Sequence, residues 1–498
     1  MTTLTTASSG YFLRTIIPMC LLAVMMTACS TNPVSKQKEV VMMSETQELE
    51  LGQKAAAQVA QQMTLMPEDD PLVKYVNKVG QRVAAVSDRP ELFYRFHVVD
   101  DTTINAFALP GGYIYIYRGL LIHMNSEAEL AAVLGHEIGH VTARHAVQQY
   151  TKAQLYQIGA MAASIFVPGA SQMGQVSNLV ANAVIAGYGR EDELQSDELS
   201  IKYIARAGYD VDATENILKT LKRLDDLDTR EQEDTTGKRP EKYHGAFASH
   251  PETIKRIDEV VQKSKEASTT GLGEVGHNAM LAALDGYPYG DSPAQGAMLG
   301  RLFIHPELGI KMTFPEGWVV DNTPTALVAR KRQQKAFFRL QPRELQKRQS
   351  GEEFLREMAG SRADVTGVVT ENRDGFQVTQ AMIDLSVRNV GSARMLATVF
   401  MRGPKAFLMS SWCKRAEYSQ FSADFHAMAD SFHSFDSRKE GDVPRIALYT
   451  WKPGDTWTGL AKRSKDILGR FTTDKLAVLN GEGPKEFPKA GTIIKIVK

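Results

Sequence analysis

Apolar residues change their spacing along the chain, and each spacing predicts a different kind of element. From residue 72 to 83 they recur every three or four positions, which predicts an amphipathic helix with Leu72, Val73, Val76, Val79 and Val83 on one face. Alternation in "LFYRFHVVD" and "GGYIYIYRG" instead predicts strands, with a turn signal at Pro110-Gly111-Gly112. Ser126 followed by Glu129 predicts the start of another helix through a capping box.

Two later segments have no amphipathic pattern. Residues 153–189 contain no Asp, Glu, Lys or Arg, but Pro168-Gly169 and polar residues such as Gln157 interrupt the apolar run. A buried helical pair or a mobile lid is therefore favoured over a membrane span. Residues 225–242 are strongly polar and are interpreted as a solvated loop.

The pattern divides the chain into several predicted domains. Glycine, proline and small residues concentrate at 268–297, which predicts a linker. Residues 30–267 before it are predicted to form a mainly helical domain with a small sheet. Short strands and two helical segments predict an α+β domain at 298–440, and a smaller unit follows at 441–498. The expected fold class is α+β, with several domains in 498 residues.

Residues 1–29 have the layout of an export signal. Arg14 precedes an apolar run from Ile16 to Met26, which is too short to span a bilayer comfortably, and small residues lead to Cys29. The ending "MTAC" resembles a bacterial lipoprotein signal, which implies cleavage before Cys29 and lipidation of that cysteine. A cleaved signal without lipid is the alternative. The residues after Cys29 favour, by the same resemblance, a periplasmic protein anchored in the inner leaflet of the outer membrane.

Charge and cysteine content exclude two features. The chain has 58 basic and 58 acidic residues, so electrostatic binding to nucleic acid is not expected. Its three cysteines are Cys20, Cys29 and Cys413, and removal of the signal would leave Cys413 without an internal disulfide partner.

The segment "ELAAVLGHEIGHVTARH" carries the candidate chemistry. His136 and His140 lie one helical turn apart, so their imidazoles can bind one cation, and Glu137 beside them is a candidate general base for a metal-activated water. An ordinary helix remains the alternative on this pattern alone. Gly135 and Gly139 each cost about 1 kcal/mol in a helix interior, which predicts a close backbone approach there. His145 is placed among the apolar positions and is not expected to bind the metal.

A hydrolytic zinc site normally needs a third protein ligand. Glu193 and Asp197 are one turn apart in "YGREDELQSDELS". One carboxylate can bind the metal while the other accepts a hydrogen bond from a ligating histidine. The spacing leaves open which residue does which.

Four blocks in order resemble the HtpX/BepA-type zinc metallopeptidases, HExxH gluzincins that share a catalytic core with CAAX prenyl proteases. The blocks are "NAFALPGGYIYIYRGLL", "HEIGH", "YGREDELQSDELSIKYIARAGYD" and "FASHPETIKRI". The resemblance implies a zincin-type domain holding one Zn²⁺ per chain, with Glu193 as the third ligand and Asp197 supporting the ligands. It also implies that His250 can approach the zinc as a regulatory fourth ligand; the alternative is a histidine at a helix start. Arg190 either steadies the oxyanion or pairs with Glu193.

Residues 445–498 resemble a LysM module, a strand–helix–helix–strand unit that commonly binds peptidoglycan. Trp451 and Trp457 either stack on sugars or fill a small core. In the first domain, the alternation of Tyr113, Tyr115 and Tyr117 with isoleucines is typical of an edge strand that could pair with an extended peptide.

These expectations combine into one function and two alternatives. We expect a zinc endopeptidase of the bacterial envelope that cleaves unfolded or misassembled proteins. The first alternative is a chaperone or peptidoglycan-binding adaptor whose zinc site is structural or latched by His250. The second is a cell-wall hydrolase, indicated by the LysM-like segment alone.

Overall fold

A computed structural model describes most of the chain after residue 28. The described residues are 29–34, 36, 38–40, 43–164, 187–236, 256, 258–259, 262–263, 273–323, 325–331, 335–361, 363–387, 391–441, 443–468 and 471–498. The predicted signal before Cys29 and most of the uncharged segment 153–189 lie outside them. Within the described ranges, no helix combines the length and apolar character needed to cross a membrane.

The described residues form two compact units. The first contains the chain up to Asp285 together with Leu448–Thr458 and Thr473–Ile496. The second contains Gly286–Ala447, Gly459–Thr472 and Val497–Lys498. The units do not follow the predicted boundary at residue 441, because much of the C-terminal segment belongs to the first unit.

The first unit is mainly helical with a small sheet. Its elements are β1 (Cys29–Thr31), β2 (Lys38–Val40), α1 (Glu45–Gln62), α2 (Pro71–Ala84), β3 (Arg95–Val99), β4 (Ala106–Leu109), β5 (Tyr113–Tyr117), α3 (Arg118–Leu121), α4 (Glu127–Thr142), α5 (His145–Ser164), α6 (Arg190–Arg206), α7 (Asp212–Thr236) and α8 (His277–Leu284). The predicted amphipathic helix is α2, and all five of its predicted apolar positions are buried.

The three-stranded sheet has the order β3-β5-β4, with β3 parallel and β4 antiparallel to β5. The strand carrying the alternating tyrosines is thus the middle strand, and its prediction as an edge strand is wrong. Tyr115 is buried against Phe107 and Leu109 of β4 and against Ala55 and Val59 of α1. Packing of these side chains between sheet and helix explains the aromatic alternation.

Residues 225–236 of the segment predicted as a solvated loop are the second half of helix α7, so the prediction is wrong for them, and residues 237–242 lie outside the described residues. Lys222 and Asp226 form an ion pair one turn apart on this helix. Arg230 contacts Asp474 at 3.3 Å and Glu231 contacts Lys475 at 2.7 Å. Because these partners lie more than 200 residues away in sequence, the local polar composition did not reveal the helix.

The predicted linker 268–297 also contains regular structure. Helix α8 buries Met280, Leu281 and Leu284. Just before it, the carbonyl groups of Val275 and Gly276 accept hydrogen bonds from the N–H groups of Ala128 and Glu127 at 3.0 and 3.3 Å. N–H groups in the first turn of a helix have no acceptor within the helix, and these two carbonyls supply acceptors for α4.

The second unit is an α+β structure, in agreement with the predicted strands and helices of this region. Its elements are β6 (Ala297–Leu299), β7 (Leu302–His305), β8 (Ile310–Thr313), β9 (Trp318–Thr323), β10 (Ala326–Lys331), β11 (Phe337–Glu344), α9 (Gly351–Ala359), β12 (Asp364–Arg373), β13 (Phe376–Val387), β14 (Gly391–Arg402), β15 (Lys405–Lys414), α10 (Tyr418–Asp430), β16 (His433–Ser434) and α11 (Ser437–Glu440). A seven-stranded sheet has the order β12-β13-β14-β15-β11-β10-β9, and a four-stranded sheet has the order β16-β8-β7-β6. Phe421, Phe425 and Met428 of α10 lie in the main core of this unit.

The last elements of the chain are β17 (Ile446–Thr450), α12 (Trp457–Leu468), α13 (Thr473–Leu479) and β18 (Ile493–Val497). Their order is the predicted strand–helix–helix–strand order, and β17 and β18 form a two-stranded sheet. Trp451 and Trp457 are buried with their ring centroids 4.6 Å apart, as a small core requires. The relation of this segment to LysM modules stays a prediction.

Candidate metal centre

Helix α4 carries the two histidines. Residues next to each end explain why the helix begins and ends where it does. Ser126 caps the start, since its hydroxyl accepts a hydrogen bond from the N–H of Glu129 at 3.1 Å. The reciprocal bond of the predicted capping box goes elsewhere, because the Glu129 carboxylate accepts from the N–H of Asn125. The helix ends at Thr142, and Arg144 adopts a positive φ of 61°.

Helix α6 packs against α4 through the two glycines of the motif. A Cβ atom at Gly135 would lie 3.0 Å from the hydroxyl oxygen of Ser200, and one at Gly139 would lie 3.1 Å from the Cα of Ser196. The expected close backbone approach is therefore confirmed. The two helices are held at a distance at which α6 side chains reach the histidines.

This packing brings His136, His140 and Glu193 together. One donor atom from each lies within 4.8 Å of the other two. The Nε2 atoms of His136 and His140 are 3.0 Å apart, and they lie 3.5 and 3.4 Å from Glu193 Oε2 and Oε1. Metal–ligand bonds of about 2.0–2.1 Å in a tetrahedral zinc site separate neighbouring ligand atoms by roughly 3.3 Å. Two imidazoles and a carboxylate at this spacing fit a zinc ion.

Glu137 lies directly beside this cluster. Its side chain is buried, and it lines a small cavity together with His136. A buried carboxylate next to a metal position is a suitable general base.

Asp197 and Arg256 support the ligands from behind. Asp197 Oδ1 is 2.9 Å from His136 Nδ1, the ring nitrogen that faces away from Glu193. Arg256 contacts both Asp197 oxygens at 2.7 and 2.8 Å and Glu193 Oε2 at 2.8 Å. Arg256 thereby fixes both carboxylates, as a bidentate guanidinium can.

Sequence reasoning did not identify Arg256, although it lies in the fourth block that carries the resemblance. The charge of the predicted centre could have indicated that a basic residue lies nearby. Three acidic residues, Glu137, Glu193 and Asp197, were expected around one divalent ion, and buried carboxylates need a compensating cation or hydrogen bonds.

The charges of the site favour a cation at the cluster. Burial alone would raise the pKa of Asp197, but the charge and hydrogen bonds of Arg256, with His136, lower it to about 2. Burial alone would lower the pKa of His136, but hydrogen bonds to Asp197 and Glu193 raise it to about 10. Burial lowers the pKa of His140, and only Glu193 opposes this effect strongly. The Asp197 carboxylate thus remains ionised and favours positive charge on the neighbouring His136 ring.

The rings of His145 and Tyr188 both contact His140. Its Nδ1 lies 2.8 Å from Nδ1 of His145, whose Nε2 is 2.8 Å from the Gln195 side-chain oxygen. The Tyr188 ring stacks on His140 with centroids 3.9 Å apart. His145 is buried and hydrogen-bonded, as expected for a histidine that is not a ligand. Its predicted position on the apolar side of α4 is wrong, because that helix ends before it.

The cluster found among the described residues contains only His136, His140 and Glu193 of the predicted site residues. Arg190 is exposed at the first position of α6. His250 lies outside the described residues, and Cys29 is described only as part of the backbone pairing of β1 with β2. The regulatory role of His250 and the lipidation of Cys29 stay predictions.

Comparison with known proteins is consistent with this geometry. Residues 72–264 match the profile of peptidase family M48. The beta-barrel assembly-enhancing protease of Yersinia pestis is 32% identical over 161 residues, which cover 30% of this chain and 33% of that protein. The mitochondrial metalloendopeptidase OMA1 of Schizosaccharomyces pombe is 33% identical, over 41% of this chain and 56% of that protein. The metalloprotease YcaL of Escherichia coli is 27% identical, over 37% of this chain and 69% of that protein.

The family match covers the part of the chain that holds the cluster. The chain spans about a third of the length of the Yersinia relative and just over half of the yeast one. All three relatives are named as proteases, and the matched region contains His136, His140, Glu193 and Arg256. Residues 72–264 are thus similar to peptidase family M48, and the cluster of His136, His140 and Glu193, which could hold a metal ion, lies within them.

Proposed function

We propose that the chain is a zinc-dependent endopeptidase of the bacterial envelope that cleaves unfolded or misassembled proteins. The observation that carries the proposal is the cluster itself: two imidazoles from α4 and the Glu193 carboxylate from α6 have donor atoms within 4.8 Å of one another. Glu137 is buried on the same helix as the two histidines.

Each residue of the centre has a separate role in the proposed reaction. His136, His140 and Glu193 would hold one zinc ion, which as a Lewis acid would polarise the scissile carbonyl and lower the pKa of water. Glu137 takes a proton from the attacking water and returns it to the leaving amine.

Asp197 accepts a hydrogen bond from Nδ1 of His136, which leaves the Nε2 lone pair of that ring directed at the cluster. Arg256 keeps Asp197 and Glu193 in place, so it is a positioning residue.

Substrate recognition through the main chain would suit unfolded proteins. The sheet next to the centre has β3 and β4 at its edges, and Ala106 of β4 lines the cavity that Glu137 also lines. An extended peptide added to β4 would be held by main-chain hydrogen bonds, which carry little sequence preference. The Yersinia relative is named for an effect on beta-barrel assembly. This supports misassembled outer-membrane proteins as the first substrates to test.

The proposal includes a place in the cell. Lipidation at Cys29 would anchor the chain in the inner leaflet of the outer membrane, and residues 445–498 would contact peptidoglycan. Mass spectrometry of the mature N-terminus tests the anchor, and sedimentation of the full chain with purified murein tests the contact.

The activity is tested by measuring zinc content and cleavage of casein and of an unfolded outer-membrane protein. The wild type should hold one zinc per chain and cleave both substrates. Glu137→Gln should keep the zinc and lose cleavage, whereas Glu193→Ala should lose both. Glu191→Ala is the matched control, because Glu191 is an exposed glutamate in the first turn of the same helix.

Two results would overturn the proposal. Cleavage that survives Glu137→Gln would show that another residue is the base. Binding of unfolded proteins by a zinc-loaded wild type that cleaves none of them would favour the chaperone or adaptor function.

A further inference from the structure

A small cavity borders the proposed base and one of the proposed metal ligands. Its volume is about 60 Å³. The lining includes His136 and Glu137 of α4, Asp197 of α6 with Arg256, and four residues of α7. The cavity therefore shares two residues, His136 and Glu137, with the proposed catalytic centre.

Helix α7 forms the wall opposite the histidine helix. Its four lining residues follow the spacing i, i+3, i+4, i+7, which places them on one face of the helix, and all four are buried. Three of them, Ile217, Leu218 and Leu221, are aliphatic. This wall therefore offers an apolar surface to whatever enters.

The charged groups that line the cavity do not all balance one another. Asp197 and Arg256 are paired with each other at 2.7 Å, so together they add little net charge. Glu137 is the remaining acidic group of the lining. An acidic side chain would be repelled by it, and any charged side chain would lose its hydration in a largely apolar space. The lining favours an uncharged occupant.

Thr214 adds one polar contact to the apolar wall. The residue is only 4% exposed, and its hydroxyl has no hydrogen-bond partner among the residues that the structure describes. A buried hydroxyl without a hydrogen-bond partner is unfavourable. A hydroxyl on the occupant, or a water molecule that it admits, would satisfy this group.

The size of the cavity sets an upper limit on the occupant. An apolar cavity of roughly 150 Å³ is large enough to bind a benzene molecule. The observed 60 Å³ is less than half of that and excludes an aromatic ring unless the walls move. A short branched side chain is the size that fits.

We propose that this cavity is the specificity pocket of the peptidase and receives a short uncharged side chain, such as valine or threonine, from the substrate residue next to the scissile bond. Leu218 and Leu221 set its size, and Thr214 accepts or donates the hydrogen bond of a hydroxyl-bearing side chain. The inference rests on the proposed function, because it assumes that the cluster holds the metal that cleaves peptides.

Binding of peptide hydroxamates to the zinc-loaded full chain tests the pocket without relying on turnover. The hydroxamate group binds zinc, and the adjacent side chain is varied among valine, threonine, leucine, phenylalanine and aspartate. Acetohydroxamate, which has no side chain, is the reference. Titration calorimetry should give at least tenfold tighter binding for valine and threonine than for phenylalanine and aspartate.

Variants of α7 then locate the pocket. Leu218→Ala should improve binding of the phenylalanine compound at least tenfold. Thr214→Val should weaken binding of the threonine compound about fivefold and leave binding of the valine compound unchanged. Leu227→Ala is the matched control, because Leu227 lies on the same helix but not in the cavity lining. Leu221→Ala provides a second enlargement if Leu218→Ala does not fold.

The outcomes separate this inference from the proposed function. If acetohydroxamate binds but no side chain adds affinity, or if both enlargements leave the phenylalanine compound unchanged, the pocket assignment is wrong and the metal centre stands. If acetohydroxamate does not bind and the protein holds no zinc, the proposed function fails and the pocket assignment falls with it.

Discussion

Buried charged residues lie next to both halves of helix α4, but the pKa values of those residues are shifted in opposite directions at the two ends. In the C-terminal half, Asp197 receives hydrogen bonds from Arg256 and His136 and keeps its charge, with a pKa lowered to about 2. At the N-terminal end, Glu129 lies near the buried Lys495. Burial raises the pKa of Glu129 to about 7 and lowers that of Lys495 to about 7, and each charge only partly offsets the burial of the other.

The difference comes from the number and kind of partners. The Asp197 carboxylate has two bonds from one guanidinium, which match it in shape. Lys495 instead donates to two backbone carbonyls, those of Ile122 and Met124, at 2.8 and 2.7 Å. Charge at the metal end is maintained for binding a cation. At the other end the lysine ties strand β18 to the segment that precedes the histidine helix, and its charge only partly offsets the burial of Glu129.

The largest effect is expected from Arg256→Met. Two buried carboxylates would lose their cation, and the free energy of unfolding of the metal-free protein should fall by about 5 kcal/mol, the upper end for a broken buried pair. Zinc affinity should fall by about 10–100-fold, as for other residues that support metal ligands. Urea unfolding in EDTA and zinc titration measure the two effects.

Arg206→Met is the control for this variant, since Arg206 is half-exposed and lies 3.6 Å from Asp88. A loss below about 1 kcal/mol for Arg256→Met, equal to that of a surface pair, would contradict the account.

Lys495→Met should have the next largest effect and should depend on pH. Glu129 would lose the positive charge that partly offsets its burial, so its pKa in the folded protein would rise above 7, against about 4.5 when unfolded. Such a carboxyl favours the fold only while protonated, and this contribution is lost as pH rises from 4.5 through the folded pKa. Unfolding should cost about 3 kcal/mol less at pH 8 than in the wild type, but only about 1–2 kcal/mol less at pH 5.

The double variant Lys495→Met, Glu129→Gln is the matched control, because glutamine can still accept the Asn125 N–H without carrying a charge. It should lose the pH dependence. Equal destabilisation of the single variant at both pH values would show that Glu129 does not respond to Lys495.

Gly139→Ala should have a moderate effect. Its Cβ would meet the backbone of Ser196 at 3.1 Å, and the strain of pushing α6 away from α4 should cost about 1–3 kcal/mol and weaken zinc binding. Gly135→Ala should cost less, since its nearest backbone neighbour, the Cα of Ser200, is 3.3 Å away, although moving the Ser200 hydroxyl aside would break its hydrogen bond to the Ala132 carbonyl. Thermal unfolding with and without zinc measures both variants, and the opposite order would contradict the packing described.

Arg190→Ala should have the smallest effect. Arg190 is exposed at the start of α6, so the free energy of unfolding should change by no more than about 0.5 kcal/mol. Steady-state kinetics on a peptide substrate would reveal a role at the oxyanion, since loss of such a group lowers kcat by about 100-fold or more. We expect a change in kcat of less than about threefold.

The parts of the structure that the sequence predicted well are those specified by local patterns. The face of α2, the cap at Ser126 and the spacing of His136 and His140 each follow from residues within two turns. The approach of α6 was also predictable, because two glycines in one helix interior indicate a neighbour.

The errors concern features determined by distant residues. The end of α4 depends on the positive φ of Arg144, whose guanidinium is paired with Glu48 of α1. The polar half of α7 is held by Asp474 and Lys475. The middle position of β5 depends on its pairing with β3, and the role of Arg256 depends on two carboxylates about 60 residues earlier. None of these partners lies within the sequence window that a local pattern uses.

The most direct test of the central claim is the zinc K-edge X-ray absorption spectrum of the zinc-loaded full chain and of Glu193→Ala. The account predicts only nitrogen and oxygen ligands at about 2.0–2.1 Å in the wild type, including at least two imidazoles, and a changed first shell with weaker zinc binding in the variant. A variant with the wild-type spectrum and undiminished zinc affinity would contradict the claim that α4 and α6 together form the metal centre.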